Sequence, residues 1–270
     1  MKGFMNRYQG VLARIAQALE ETRAVFARFT PGAVEIEYKA GQDPVTEADR
    51  AVDAVLKRVL LQPEEGWLSE ESVDDLIRLE RRHVWVVDPL DGTREFVKGI
   101  PEWCASVAFV EDGRAVAGGI YNPATDEVIL GSIGTGVTYN GKPAMPTPKS
   151  GIDGATVLAS RSEIKRGEWE EFTSIANVRA MGSVAYKLGL VAAGKADATW
   201  TLTPKHEWDV AAGVALIESA GGFARTLDQT ALTFNKRTPW LSGMLAAGPV
   251  LGPQIEELLK NHARPNPVAR

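Results

Sequence analysis

Apolar positions near the start of the chain recur at helical spacing. Over residues 5–29, Val11, Leu12, Ile15, Leu19 and Phe26 share one stripe, with charges between them. That spacing predicts an amphipathic helix, ended by Pro31-Gly32. A second stripe (Ala51, Val52, Val55, Leu56, Val59, Leu60) predicts a helix over residues 46–60, with Pro63 beyond it. The rhythm then shortens. Val84-Trp85-Val86-Val87 reads as a buried strand ending at Asp88. Strands are predicted over 105–110 and 115–121, joined by the turn Glu111-Asp112-Gly113-Arg114. Segments 126–131 and 136–139 continue this meander.

The stretch 140–154, NGKPAMPTPKSGIDG, is rich in Pro, Gly and polar residues. It divides the chain into an N-terminal α+β part, 1–150, and a C-terminal α/β part, 151–270. The second part predicts strands at 155–159 and 198–202 and helices at 169–176, 183–193 and 208–220. Gly221-Gly222 closes the last helix. Helices and strands alternate throughout, so the class is α/β with a mixed sheet.

Composition narrows the function. The 270 residues carry 30 Lys+Arg against 35 Asp+Glu, a formal charge of −5. That balance argues against a partner that is a nucleic-acid polymer. The single cysteine, Cys104, excludes an internal disulfide and suits a reducing, cytoplasmic setting. His83, His206 and His262 follow no zinc spacing. No signal-peptide core and no run long enough to span a membrane is present.

The sharpest chemistry lies in Val87-Asp88-Pro89-Leu90-Asp91-Gly92-Thr93. A strand delivers Asp88, and Asp91 follows three residues on. Two carboxylates at a strand tip repel each other unless a cation lies between them. Oxygen ligands suit Mg²⁺ or Mn²⁺. Gly92 and Thr93 can open a helix whose free N–H groups face an anion. Glu70 and Glu71 fall in a loop after Trp67, Asp209 opens a small-residue helix as a candidate N-cap, and Thr46-Glu47-Ala48-Asp49 reads as a capping box. Two decoys fail. Gly136 to Lys142 nearly matches a phosphate loop, but Pro143 replaces its Ser/Thr, and Asn140-Gly141 reads as a hairpin turn. Gly131, Gly134 and Gly136 fit only part of a dinucleotide fingerprint.

In this order, DPVTEADRAV, LSEES, WVVDPLDGTREFVKGIPEW, GGIYNPATDEV, TYNGKP, GSVAYKLGLVAAGKADA and EWDVAAGVALIESAGG resemble the inositol monophosphatase superfamily of Mg²⁺-dependent phosphomonoesterases. The resemblance implies a layered αβαβα sandwich with mixed sheets and a metal-activated water as nucleophile. It implies Glu70, Asp88, Asp91 and the Leu90 carbonyl as metal ligands, with Asp209 completing a second metal site and two or three Mg²⁺ per active site. Asp49, Glu70 and Thr93 would activate the water, and the Gly92 and Thr93 amides would hold the phosphate. Lithium sensitivity and a homodimer are also implied.

Three features lean to the 3′(2′),5′-bisphosphate nucleotidase branch. Ala159-Ser160-Arg161-Ser162 resembles its Ser-Arg-Ser segment, although Glu163 replaces the usual His. Lys187 matches a lysine of that branch, and Glu207-Trp208-Asp209 resembles its C-terminal metal motif. Leu202 stands where animal-type inositol monophosphatases carry an inositol-gripping glutamate. The expected substrate is therefore 3′-phosphoadenosine 5′-phosphate, with Arg161 and Lys187 as substrate contacts, each with a solvated surface charge as its alternative reading. An inositol monophosphatase or broad sugar-phosphate phosphatase is the second reading, and a non-catalytic metal- or phosphate-binding protein is the remote one.

Overall fold

The computed structural model describes residues 7–38 and 44–260. Helix α1 (Gln9–Phe26) is the first predicted helix, and the Met5 end of that prediction lies outside the described residues. Strands β1 (Glu37–Tyr38) and β2 (Pro44–Val45) pair antiparallel. Helix α2 (Glu47–Leu60) starts at the predicted capping box of Thr46 and Asp49. There follow β3 (Gly66–Ser69), β4 (His83–Asp91), the short α3 (Thr93–Val97), β5 (Cys104–Glu111), β6 (Arg114–Asn122), β7 (Glu127–Ser132), β8 (Gly136–Tyr139) and β9 (Lys142–Ala144). Strands β3 to β9 lie side by side in chain order as a seven-stranded sheet. Only β3 and β4 run parallel in it. Asn140 and Gly141, both at positive φ, make the β8–β9 turn, as a hairpin requires.

Alternation along the strands divides the core. Trp85, Val87, Val107 and Phe109 pack with Ile15, Leu19, Val52 and Leu56 of α1 and α2. Their neighbours Val84, Val86, Ala108 and Val110 face the other way. Burying one such aliphatic side chain contributes about 1.5–3 kcal/mol. Gly118 and Gly119 on β6 let helices approach both faces. A Cβ on Gly118 would lie 2.6 Å from the Ala212 carbonyl oxygen, and one on Gly119 would meet Ile15.

The second part adds β10 (Thr156–Ser160), α4 (Arg161–Lys165), β11 (Asn177–Met181), α5 (Val184–Ala192), β12 (Ala198–Thr201), β13 (Lys205–His206), α6 (Glu207–Ser219), β14 (Phe223–Thr226), β15 (Trp240–Leu241), β16 (Met244–Ala247) and α7 (Gly252–Lys260). The five-stranded sheet has the order β11-β10-β12-β16-β14, and β13 pairs with β15 apart from it. Leu188 of α5 and Ala212 and Leu216 of α6 share one core with Val84 on one side and Leu158 and Ala246 on the other. Helices α5 and α6 therefore fill the space between the sheets. On the far face Trp169, Phe172, Trp200, Leu251 and Ile255 form the last layer. The layers read αβαβα, and the sheets are mixed, as the sequence implied.

The helix predicted over 169–176 is instead a single 3₁₀ turn, Glu170–Phe172. Trp169 and Phe172 are drawn into the core against Trp200. The Thr173 and Ser174 hydroxyls donate to the carbonyls of Glu170 and Glu171, and this bonding competes with helix continuation. Among the described residues, no helix is long and apolar enough to cross a membrane.

Candidate active site

Strand β4 loses its register with β5 between Asp88 and Asp91. Pro89 has no N–H to give the ladder, so the pairing is interrupted between the two aspartates, whose side chains line one cleft. Asp88 accepts the Leu90 N–H at 3.0 Å, which fixes the turn. Glu70 follows the parallel neighbour β3, and its N–H donates to the Val87 carbonyl at 3.3 Å. Its loop is pinned from behind. The hydroxyls of Ser69 and Ser72 donate to the two oxygens of Asp53 on α2, at 2.5 and 2.7 Å. Asp209 arrives from the other half of the chain. It occupies the third position of α6 and accepts the His206 N–H at 3.0 Å, so His206 rather than Asp209 is the N-cap residue. Oxygens of Glu70, Asp88 and Asp209 all lie within 4.8 Å of one another.

Asp91 lines the same cleft but lies outside that trio. Its Oδ2 accepts the Ser183 hydroxyl at 2.7 Å and the Ala185 N–H at 2.5 Å, at the start of α5. Burial pushes its carboxyl up to about 6, against the opposing pull of these two bonds and of Lys187. Burial also raises Asp88 well above the carboxylate range, and the charges of Glu70, Asp91, Asp209 and Asp49 add to it. Asp209 rises for the same reason, burial first and then Asp91 and Glu70. Burial and mutual repulsion make this acidic cluster costly to ionise without a compensating positive charge. An all-oxygen donor set from Glu70, Asp88, Asp209 and the nearby Asp91 fits a hard divalent cation such as Mg²⁺.

Next to the acids, Gly92 sits at φ 97°, and a Cβ there would lie 2.8 Å from the Glu102 carbonyl oxygen. Glycine is therefore required where the chain turns into α3. The Thr93 hydroxyl lies 3.2 Å from Oδ1 of Asp49 and 3.0 Å from the Leu90 carbonyl. Asp49 takes the Thr46 N–H and hydroxyl on its other oxygen, at 2.7 and 2.6 Å. Burial raises its carboxyl, and the Thr46 bonds oppose this.

One cleft of about 550 Å³ is lined by Glu70, Asp88, Leu90, Asp91, Gly92, Thr93, Arg161, Lys187 and Asp209. Asp49 lies behind Thr93. Arg161, at the rim, forms a two-pronged pair with Glu102 at 2.9 and 2.5 Å. Lys187 is not a solvated helix charge: it is 4% exposed. Burial lowers its ammonium to about 8, although the Glu163 carboxylate resists. The sequence reading missed Asp53, Ser183 and Lys205, and noted Glu163 only as a departure from a pattern, with no role. Asp53 had a signal, since it stands four residues after Asp49 on the same face of α2. The other three act through contacts distant in sequence.

Comparison with known proteins identifies the family. The model of the inositol monophosphatase family matches residues 9–264. The inositol-1-monophosphatase of Rhizobium meliloti is 32% identical over 201 residues, covering 71% of this chain and 75% of that protein. The Nus factor SuhB of Escherichia coli K12 is 33% identical over 204 residues, covering 72% and 75%. The structure of an inositol monophosphatase from Anabaena superposes with a TM-score of 0.80 at 26% identity, over 96% of this chain and 99% of that one. The chain belongs to the inositol monophosphatase family, and is accordingly a metal-dependent phosphatase.

Proposed function

We propose that the cleft hydrolyses small phosphate monoesters that carry a second anionic group, with 3′-phosphoadenosine 5′-phosphate as the preferred substrate, releasing AMP and phosphate. The observation that carries this reading is the mixed lining of the cleft, where Glu70, Asp88, Asp91 and Asp209 share one space with Lys187, Lys205, Arg161 and Lys165. Arg161 is paired with Glu102 and Lys205 with Glu163, whereas Lys187 has no ion pair among the described residues and is available to a second anionic group of the substrate.

A divalent cation held by Glu70, Asp88, Asp91 and Asp209, with the Leu90 carbonyl, supplies charge neutralisation and a lowered water pKa. The chain's own residues do the rest. The Thr93 hydroxyl has one proton to give and finds Asp49 and the Leu90 carbonyl behind it. Its lone pairs are left to accept a proton from an attacking water, with Asp49 behind to take up charge. Glu70, pinned through Ser69 and Asp53, is the second group placed to orient that water. The Gly92 and Thr93 amides open α3 toward the cleft and serve as phosphate donors. Arg161 and Lys187 contact the rest of the substrate.

A second reading is hydrolysis of inositol 1-phosphate, favoured by the relatives named inositol-1-monophosphatase. Phosphate release with Mg²⁺, with and without EDTA, separates the two. The panel is 3′-phosphoadenosine 5′-phosphate, inositol 1-phosphate, histidinol phosphate and fructose 1,6-bisphosphate. A preference of about a hundredfold in kcat/KM for the nucleotide, equal to about 2.7 kcal/mol, supports the first. Equal rates on the inositol or sugar esters support the second. No metal-dependent hydrolysis of any member rejects both.

A further inference from the structure

Glu163 stands where the nucleotidase-like segment departs from its pattern, and the structure gives it an unusual position. It lies in the first turn of α4 and is 1% exposed. Its Oε1 accepts the Thr201 and Thr203 hydroxyls at 2.5 and 2.9 Å and the Lys205 ammonium at 3.3 Å. Its Oε2 accepts the Trp169 indole N–H at 3.1 Å. Despite burial, Lys205, Thr201, Lys187 and Trp169 hold its carboxyl below the ordinary value. Glu163 is thus a buried anion with every bonding partner a donor.

Two lysines that line the cleft lie around this carboxylate: Lys205 bonds it, and Lys187 lines a small pocket with Thr201, whose hydroxyl donates to Glu163. Lys205 is tied to it and also donates to the Thr203 hydroxyl at 2.9 Å. Lys187, on α5, feels its charge without an ion pair to any described residue. Lys187 and Lys205 line the same cleft, so their like charges repel each other. Buried like charges are brought together only where something offsets them. Glu163 offsets Lys205 directly, and Asp91 and Glu95 add to its effect on Lys187.

We propose that Glu163 is a positioning residue, which holds Lys205 beside Lys187 so that the pair forms a second anion site for the non-scissile phosphate of a bisphosphorylated substrate. This rests on the phosphatase reading above and adds to it the residues that select the substrate class. Glu163 itself touches no substrate. Lys205 and Lys187 do, and Glu163 acts through them.

The test is steady-state hydrolysis by the full chain with Mg²⁺ on three matched pairs. These are 3′-phosphoadenosine 5′-phosphate with adenosine 3′-phosphate, inositol 1,4-bisphosphate with inositol 1-phosphate, and fructose 1,6-bisphosphate with fructose 1-phosphate. The readout is the ratio of kcat/KM, bisphosphate over monophosphate. Wild type should favour the bisphosphate in at least one pair. In that pair Glu163→Gln and Lys205→Gln should each lower the ratio by about tenfold, through KM, since a charge-assisted bond is at stake. The double variant should lose little more than Lys205→Gln alone, because Glu163 acts through that lysine. A merely structural role would depress both members of a pair alike and leave the ratio unmoved. Lys205→Gln, at a partly exposed side chain, keeps the test decisive if Glu163→Gln does not fold. No bisphosphate preference in any pair, or an unmoved ratio in Lys205→Gln, overturns the inference while the phosphatase reading stands. No Mg²⁺-dependent hydrolysis at all overturns both.

Discussion

The hydroxyl of Ser183 donates to Oδ2 of Asp91 at 2.7 Å, joining the start of α5 to the end of β4. The same hydroxyl oxygen accepts the Tyr186 N–H at 3.0 Å and so caps α5. Ser183 sits at φ 53°, an uncommon value for a residue with a side chain. One side chain therefore orients a metal-ligand candidate and starts the helix that carries Lys187. Ser183→Ala should cost about 1 kcal/mol of stability through the lost cap. It should also weaken Mg²⁺ activation by about tenfold, since Asp91 loses a supporting bond. Activity titrated against Mg²⁺ concentration, alongside thermal unfolding, separates the two effects. An unchanged Mg²⁺ requirement would show that the Ala185 N–H alone holds Asp91.

Asp209→Asn removes one of the three converging carboxylates. Turnover should fall by about a thousandfold or more. The metal-free protein should not lose stability, because the variant deletes a buried charge that its neighbours repel. Asp91→Asn should show a similar loss of turnover. Near-wild-type rates in both variants would remove the metal site from the mechanism.

Much of this arrangement was legible before any coordinates. The α/β class, the capping box at Thr46 and the paired acids Asp88 and Asp91 follow from local pattern, while the layered sandwich and the grouping of Glu70 and Asp209 with them come from the family resemblance carried by motif order. Local signals succeed there because strand tips, caps and turns are set by neighbouring residues. What failed depended on distant contacts. The 169–176 segment has helical composition, yet Trp169 and Phe172 reach the core through a tighter turn. Lys187 read equally well as a surface charge, because nothing near it in sequence reveals Glu163 beneath the cleft. Asp209 read as an N-cap because the partner that takes that role, His206, is an uncommon choice for it.

Thr93 offers a narrower test. Thr93→Val keeps the shape and removes the hydroxyl that links Asp49 to the cleft. Loss of a proton-handling group should lower kcat by about a hundredfold, with a smaller change in KM. Thr93→Ser restores a hydroxyl at the same place and should recover most of the rate. Equal activity in the valine variant would reduce the Asp49–Thr93 pair to a helix-start contact.

The buried carboxylates also set how metal and pH act together on stability. Burial pushes the Asp91 carboxyl up to about 6 in the folded chain and raises Asp88 and Asp209 as well. An unfolded aspartate titrates near about 4. Between these values the metal-free folded chain binds more protons than the unfolded one, so its stability falls as pH rises through that window. A bound divalent cation removes that penalty by replacing the protons. Mg²⁺ at about a hundred times its Kd should add about 2.7 kcal/mol at pH 8. At pH 5 protons compete for the same oxygens, and the same Mg²⁺ concentration should add much less. The measurement is the rise in Tm on adding Mg²⁺, scanned from pH 5 to pH 8, with Ca²⁺-free and EDTA-treated protein as the baseline. The rise should grow with pH in wild type and flatten in Asp209→Asn. A rise of equal size at both ends of the range would mean that the cation binds elsewhere, away from the carboxylates that burial has raised.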